Sequence, residues 1–376
     1  MIYLDYAAAT PIDPEVLELM RPYFAEQFFN PSATYLPALK TKQALEASRG
    51  QVAHWLGAKS SEIIFTAGAT EANNLAIHGV MQRYPGAKVL VSSVEHESVL
   101  APAKRYDYEE INVKTDGRLD LDDLEKRIDD QTVLVSVMLA NNEIGTIEPI
   151  REVSRIINAK KRARKSNLPL YLHSDCAQAA NYLDLHATRL GLDLMSLNGG
   201  KIYGPKQSGA LYVRSGIDLV PLIQGGGQER GLRSGTENVA ACVGLAAALT
   251  YVQTVRGEET KRLLLLQARL IELLENKISH IEINGSRKYR LPNNVHFLVD
   301  GLDNERLLFQ LDTAGIMASA GSACSASAVE SSHVLRSIGK SDDQARSSIR
   351  LSLGRQTAAE QIDKSAGVLA DLINSR

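Results

Sequence analysis

Six short runs constrain the fold of this chain more than any other feature: EIIFT (62–66), KVLVSS (88–93), TVLVSVML (132–139), LPLYLHSD (168–175), LDLMSL (192–197) and GALYVR (209–214). All are β-rich, and several are apolar on both alternating positions. A strand carries apolar residues on both faces when both faces are covered, as in a parallel sheet flanked by helices. The stretches between the runs mostly have helical periodicity. The pattern therefore predicts an α/β fold whose main domain is a doubly wound, mostly parallel sheet.

Before the first run, Val16, Leu17, Leu19, Met20, Tyr23 and Phe24 recur at helical spacing, with Asp13 as a cap and Pro14 in the first turn. This predicts one opening helix from Asp13 to about Phe28. Past residue 255 the texture changes to a long helix, roughly Glu258 to Ile278, then NNVHFLVD, NERLLFQLDTAG, SSIRLSLG and a last amphipathic helix. Fewer strands and longer helical intervals predict a smaller α+β domain. The expected division is a large domain over 13–255 and a small one formed by 1–12 with 256–376. A length of 376 residues accommodates both.

Lys and Arg number 42 against 44 Asp and Glu, so no global field draws nucleic acid or an anionic membrane, and direct nucleic-acid binding is not expected. Cys176, Cys242 and Cys324 have neither disulfide-framework nor metal-ligand spacing. The N-terminus lacks a basic leader, and no apolar window is read as a membrane span, so the expectation is a cytoplasmic protein without a metal site.

Three strand ends carry the chemistry. In EIIFTAGATEANN a run ends in Thr66-Ala67-Gly68-Ala69-Thr70 and a helical pattern begins at once, so free amides and the positive end of the helix dipole face the turn. That is a phosphate site, unless Gly68 and Thr70 merely make a turn and an N-cap. In LHSDCAQ, Asp175 closes a run where α/β sheets place ligands. It either answers a cation such as a protonated ring nitrogen or caps the next helix. In LNGGKIYGPK, Lys201 follows Asn198, Gly199 and Gly200, and glycines let a flat ligand approach the backbone closely. A partly desolvated lysine loses its proton readily and forms a Schiff base with an aldehyde. Phosphate cradle, acidic partner for a ring nitrogen, and amine on a flexible turn together meet the demands of pyridoxal 5'-phosphate.

Four further residues stand out, each with two readings. GGGQERGLRSGTEN (225–238) either supplies Thr236 to a phosphate, in a neighbouring subunit, or is a mobile surface loop. Cys324, among Ser, Ala and Gly, reads as an exposed loop thiol and candidate nucleophile rather than an inert core cysteine. Arg350 alternates with apolar residues in SSIRLSLG and needs an anionic partner, either a substrate carboxylate or an internal Asp or Glu. His96 either stacks on an aromatic ring or is an ordinary hydrogen-bonded histidine. The basic run KKRARK (160–165) reads as a solvated helix end.

Taken together, YLDYAAATP, FTAGATEANN, EHESVL, ANNEIGT, HSDCAQ, KIYGPK, GGGQERGLRSGT, SAGSACSAS, SSHVLRSIG and SSIRLSLGR resemble the cysteine desulfurases. These are pyridoxal-phosphate enzymes of the class V aminotransferase group that mobilise sulfur for iron–sulfur clusters and tRNA thiolation. The resemblance implies a fold-type-I transferase, acting as a homodimer with shared active sites, that converts L-cysteine to L-alanine and leaves a persulfide on Cys324 for an acceptor protein. It also implies a set of roles. Lys201 would bond the cofactor aldehyde, Asp175 would pair with the ring nitrogen, and Gln178 and Asn142 would bond the ring-oxygen region. His96 would stack on the ring and move protons. Ala69, Thr70 and Thr236 across a dimer interface would hold the phosphate, while Arg350, with Asn30 nearby, would hold the substrate carboxylate. The longer cysteine loop resembles the iron–sulfur type of the family.

The chain departs from the family where relatives usually read Ser-Gly-His-Lys and it reads Asn198-Gly199-Gly200-Lys201. A hydroxyl and an imidazole expected near the phosphate are missing, which predicts weaker phosphate retention or compensation by another residue or a partner. The motif after NPS is also altered. Ending at Arg376, the chain is expected to lack the scaffold-docking tail of many relatives. Rival readings are a lyase or aminotransferase of the same fold, and a cofactor-poor sulfur carrier or scaffold.

Overall fold

The computed structural model describes residues 1–321 and 331–375. β1 (Ile2–Tyr3), α1 (Pro14–Met20), α2 (Pro22–Ala25) and α3 (Leu36–Leu56) open the chain. Then follow β2 (Ile63–Thr66), α4 (Ala69–Arg83), β3 (Lys88–Ser92), α5 (Glu97–Ala103), β4 (Asp107–Ile111), α6 (Leu121–Arg127), β5 (Thr132–Ser136), α7 (Ile150–Ala163), β6 (Tyr171–Asp175), α8 (Ala187–Leu190), β7 (Leu194–Asn198) and β8 (Gly209–Val213). The long α9 (Val239–Lys277) leads to β9 (Ile281–Ile283), β10 (Asn294–Val299), α10 (Asn304–Thr313), β11 (Ile316–Met317), α11 (His333–Ser337), α12 (Asp342–Arg346), β12 (Ser348–Ser352) and α13 (Ala359–Asn374).

Strands β2 to β8 form one seven-stranded sheet in the order β2-β8-β7-β6-β5-β3-β4. β8 runs antiparallel to both its neighbours, and every other pairing in this sheet is parallel. The apolar runs predicted as strands are buried throughout: β5 and β8 have no exposed position. One apolar core lies on one face of the sheet and a second, built with α4 and α5, on the other. Burial on both faces explains why these strands lack polar alternation.

The second part has its own three-stranded antiparallel sheet, β12-β10-β9. The chain's first residues join it: β1 pairs with β11, and Asp5 bridges to Ser352. The larger core continues into this part through Val295, Phe297, Leu351 and Leu369.

Four expectations need correction. The opening helix is two helices, because Pro22 has no N–H to continue α1. β4 went unnoticed since DYEEI is half polar, as suits the edge strand it forms. α9 begins at Val239 rather than Glu258. Its first three turns are almost wholly buried and therefore show no polar face, so the boundary expected at 255 falls inside a continuous helix. The same helix has the length and composition to cross a membrane, contrary to the reading that no window does, and most of that window is packed inside the fold.

The loop 225–238 is not a solvated surface segment throughout. Glu229 is buried, pairs with Arg49 of α3 at 2.6 Å and accepts the Phe65 amide of β2 at 2.8 Å. The basic residues of 160–162 do lie in the last turn of α7, where cations complement the dipole.

Candidate active site

The residues singled out in the sequence gather where parallel strands end and their helices begin. β2 stops at Thr66, and α4 starts at Ala69 with Gly68 as N-cap and no side chain capping the first turn. Gly68 has φ +130°, and a Cβ there would meet nothing within 4 Å. Ala69 and Thr70, at the positive end of this 15-residue helix, line the cleft described below. Gly209 at the start of β8 makes the turn possible: a Cβ on it would lie 2.6 Å from the Gly68 backbone.

Asp175 ends β6 and is almost buried. Its Oδ1 accepts from the Ala177 amide at 2.8 Å and its Oδ2 from Asn73 Nδ2 at 2.7 Å. Asn73 also donates to Ser98 Oγ at 2.8 Å, and Ser98 Oγ lies 2.8 Å from His96 Nδ1. His96 caps α5, its Nδ1 accepting the Ser98 amide at 3.1 Å. An amide can only donate, so Nδ1 is held as the acceptor and the proton of the neutral ring sits on Nε2. His96, Asp175 and the α4 terminus are thus coupled through Asn73 and Ser98, two residues the sequence reading missed.

Lys201 ends a short 3₁₀ turn, Gly199–Lys201, that follows β7 directly. The tether is tight: Asn198 Oδ1 accepts the Gly200 amide at 3.0 Å, and a Cβ on Gly199 would lie 2.0 Å from Ser208 Oγ. Lys201 Nζ donates to the carbonyls of Ala7 at 3.0 Å and Ala8 at 2.5 Å. Gln178 Nε2 donates to the same Ala7 carbonyl at 3.0 Å. The N-terminal segment thus borders the site, which its sequence did not reveal, since it contributes backbone oxygens.

Lys201, Asp175, His96, Gln178, Asn142, Asn198, Ala69, Thr70 and Arg350 line one cleft of about 200 Å³. Gly200 faces an adjoining cleft that shares Ala69, Thr70, Asn198 and Lys201. Arg350 is among the most buried side chains of the molecule. It donates to Asp5 Oδ1 at 2.8 Å and to the Asn142 carbonyl at 2.9 Å, so an internal carboxylate answers it. Its Nε remains buried without an acceptor among the described residues.

Two expected residues are not brought to the cleft. Asn30 is exposed between α2 and α3, its Oδ1 turned back to the Ser32 amide at 2.9 Å. Thr236 is exposed and lines a further cavity that shares Ala67 and Gln207 with the cleft of Gly200 but does not include Lys201. Cys324 lies outside the described residues. Cys176 and Cys242 are buried, and burial pushes both thiols up, so neither is a ready thiolate.

Behind His96, Glu95 is fully enclosed. Its Oε1 accepts the Met138 amide at 2.5 Å, and burial, with Asp175 nearby, raises its carboxyl well above the usual range.

The donor set suits pyridoxal phosphate. An uncapped helix N-terminus for a phosphate, an oriented carboxylate for a ring nitrogen and a primary amine border one cleft.

A family model for aminotransferase class-V matches residues 2–364. A protein of Clostridium botulinum named cysteine desulfurase IscS is 41% identical over 384 residues, covering 100% of this chain and 95% of that protein. A solved structure titled NifS-like protein superposes with a TM-score of 0.92 at 31% identity and covers 100% of both chains. Another, titled SspA in complex with cysteine, gives a TM-score of 0.81 at 35% identity over 94% of this chain and 99% of that one.

Proposed function

The chain belongs to the aminotransferase class-V family, and from that premise we propose that it is a pyridoxal-phosphate-dependent cysteine desulfurase. L-cysteine and the Cys324 thiol go in; L-alanine and a Cys324 persulfide come out. The thiolate attacks the substrate sulfur, a sulfur–sulfur bond forms, and the carbon–sulfur bond breaks with its electron pair left on carbon. A proton completes the alanine methyl, so the exchange is redox-balanced. Cys324 is the remaining cysteine once the two buried thiols are set aside.

When bound, pyridoxal phosphate supplies a covalent hold on the amino group and a sink for the carbon electrons. The chain's own residues do the rest. Lys201 would provide the amine that holds the cofactor. Asp175, fixed by Asn73 and Ala177, would pair with the ring nitrogen. His96, with Nδ1 held as an acceptor, presents its Nε2–H as a donor at the cleft face. Arg350, which lines the cleft, would orient the substrate carboxylate. Gln178 and Asn142 would hold the ring edge, while Ala69, Thr70 and Asn198 would hold the phosphate.

The observation that carries this reading is the convergence of Lys201, Asp175 and the uncapped α4 terminus in one cleft. The test is incubation of the purified protein with L-cysteine and the cofactor. Alanine should form, Cys324 should gain one sulfur in its mass spectrum, and borohydride should fix the cofactor to Lys201. Alanine formation that survives Cys324→Ala without any added thiol would refute it.

A second copy of the chain completes the site. Thr236 is exposed and is absent from the lining of the Lys201 cleft of its own chain, which supports a role in a partner's phosphate site. Mixing Lys201→Ala and Thr236→Ala chains should leave one heterodimer site with both residues intact and recover part of the wild-type activity. The large part, 13–255, then serves as the cofactor platform, and the small part, 1–12 with 256–376, presents the Cys324 segment. The sulfur acceptor is a partner protein able to meet that segment, in cluster assembly or thiolation.

A further inference from the structure

The replacement of the usual serine and histidine by Asn198 and Gly200 leaves the phosphate end short of donors, and the fold offers a substitute. The cleft beside the α4 terminus, of about 690 Å³, is lined by Gly68, Thr70, Glu71, Asn198, Gly200 and Lys206. Its one acid is neutralised: Glu71 accepts from Arg233 Nε and from the Ala67 amide, each at 3.0 Å. Lys206 has no hydrogen bond or ion pair among the described residues. Its stem lies across the bare face of Gly200, where a Cβ would come within 3.6 Å of both Lys206 Cα and Cγ. Any longer side chain at 200 would compete with Lys206 for the same space.

The segment that presents Lys206 is held rather than loose. Gly204 donates to the Gly199 carbonyl at 3.0 Å, Gly199 to the Ser208 carbonyl at 2.9 Å, and Ser208 Oγ to the Pro205 carbonyl at 2.6 Å. Tyr203 and Gln207, on either side, have φ of +63° and +56°, the left-handed conformation that side-chain-bearing residues adopt only when surroundings enforce it. An exposed lysine normally trails into water. This one starts from a rigid, strained turn at the mouth of the phosphate cradle.

We propose that Lys206 is a binding residue for the cofactor phosphate, its ammonium group supplying the positive charge that residue 200 lacks. The inference rests on the pyridoxal-phosphate reading above. A dianionic phosphate on an uncapped helix terminus needs a countercharge, and Lys206 is the cation of that cleft that is neither paired to Glu71 nor assigned to the aldehyde.

The test compares Lys206→Met, which keeps the stem over Gly200, and Lys206→Arg, which keeps the charge. Full-length protein stripped of cofactor is titrated by equilibrium dialysis with pyridoxal 5'-phosphate and with pyridoxal, at low and high salt. Lys206→Met should weaken pyridoxal 5'-phosphate binding roughly ten- to a hundred-fold, the size of a lost charge-assisted hydrogen bond. It should leave pyridoxal binding unchanged and flatten the salt dependence, and Lys206→Arg should stay near wild type. Equal affinity of Lys206→Met and wild type for the phosphorylated cofactor, or equal loss for both compounds, overturns the role of Lys206 alone. Failure of borohydride to fix either compound at Lys201 in the wild-type chain overturns the cofactor reading and this inference with it.

Discussion

Asn73 stands one helical turn beyond Thr70 on α4, and its two amide hydrogens reach Asp175 at 2.7 Å and Ser98 at 2.8 Å. It aims a carboxylate on one strand end and steadies the histidine cap of another helix. Asn73→Ala should remove the Asp175 donor and cost about 1–3 kcal/mol of stability, since a buried acceptor loses its partner. The decisive readout is the cofactor's visible absorption as a function of pH, which should shift in this variant. A variant that loses only stability, with an unmoved spectrum, would make Asn73 a packing residue. Lys201, Asp175 and Thr70 were legible in the sequence because glycines and strand ends frame them. Asn73 was not, for an asparagine within a helical stretch has many ordinary uses, and only its i, i+3 relation to Thr70 hints at a shared face. Ser98 and the carbonyls of Ala7 and Ala8 carry no signal of their own.

At the scale of elements, the phosphate cradle depends on how closely β8 passes the β2–α4 turn. Gly209→Ala would put a methyl 2.6 Å from the Gly68 backbone, where neither side can yield as a flexible side chain would. The expected result is a loss of about 1–3 kcal/mol in thermal or denaturant unfolding, with weakened cofactor retention. Gly216→Ala, just beyond β8, meets no atom within 4 Å but sits at φ +90°, where a side chain strains the backbone, so it should cost stability without weakening cofactor retention. The strands themselves were readable, because burial on both faces leaves an apolar run. The first half of α9 was not, since a helix buried all round shows no period. Likewise β4 hid behind the polar residues that make an edge strand safe.

Across the whole molecule, several buried titratable groups set how stability varies with pH. Glu148 is fully enclosed, and burial pushes its carboxyl up to about 8, against the hydrogen bond from Leu119 and the charge of Arg118. The folded state then holds a proton that the unfolded chain releases near the ordinary value. Stability falls as pH rises from about 4.5 towards 8, by at most about 1.4 kcal/mol per pH unit from this group. Buried His296, pushed down to about 3 by burial and then by Arg290 and Arg350, acts in the opposite sense. Its stability contribution is present above the ordinary histidine value and declines as pH falls towards 3. Glu148→Gln keeps an acceptor for the Leu119 amide and should flatten the alkaline decline in unfolding midpoints between pH 5 and 8. An unchanged profile would mean that Glu148 is ionised in the fold.

From the sequence alone came the class of fold and the chemistry, because both are written in local patterns: apolar runs that must be covered twice, and glycine-framed polar residues at their ends. The tertiary structure decided which polar groups meet. It gave Arg350 an internal partner in Asp5, left Asn30 on the surface and kept Thr236 out of the lining of its own chain's Lys201 cleft. Such pairings join residues up to 345 positions apart, as Arg350 and Asp5 are. They follow from strand order and from which backbones can pass one another closely, neither of which a one-dimensional pattern encodes.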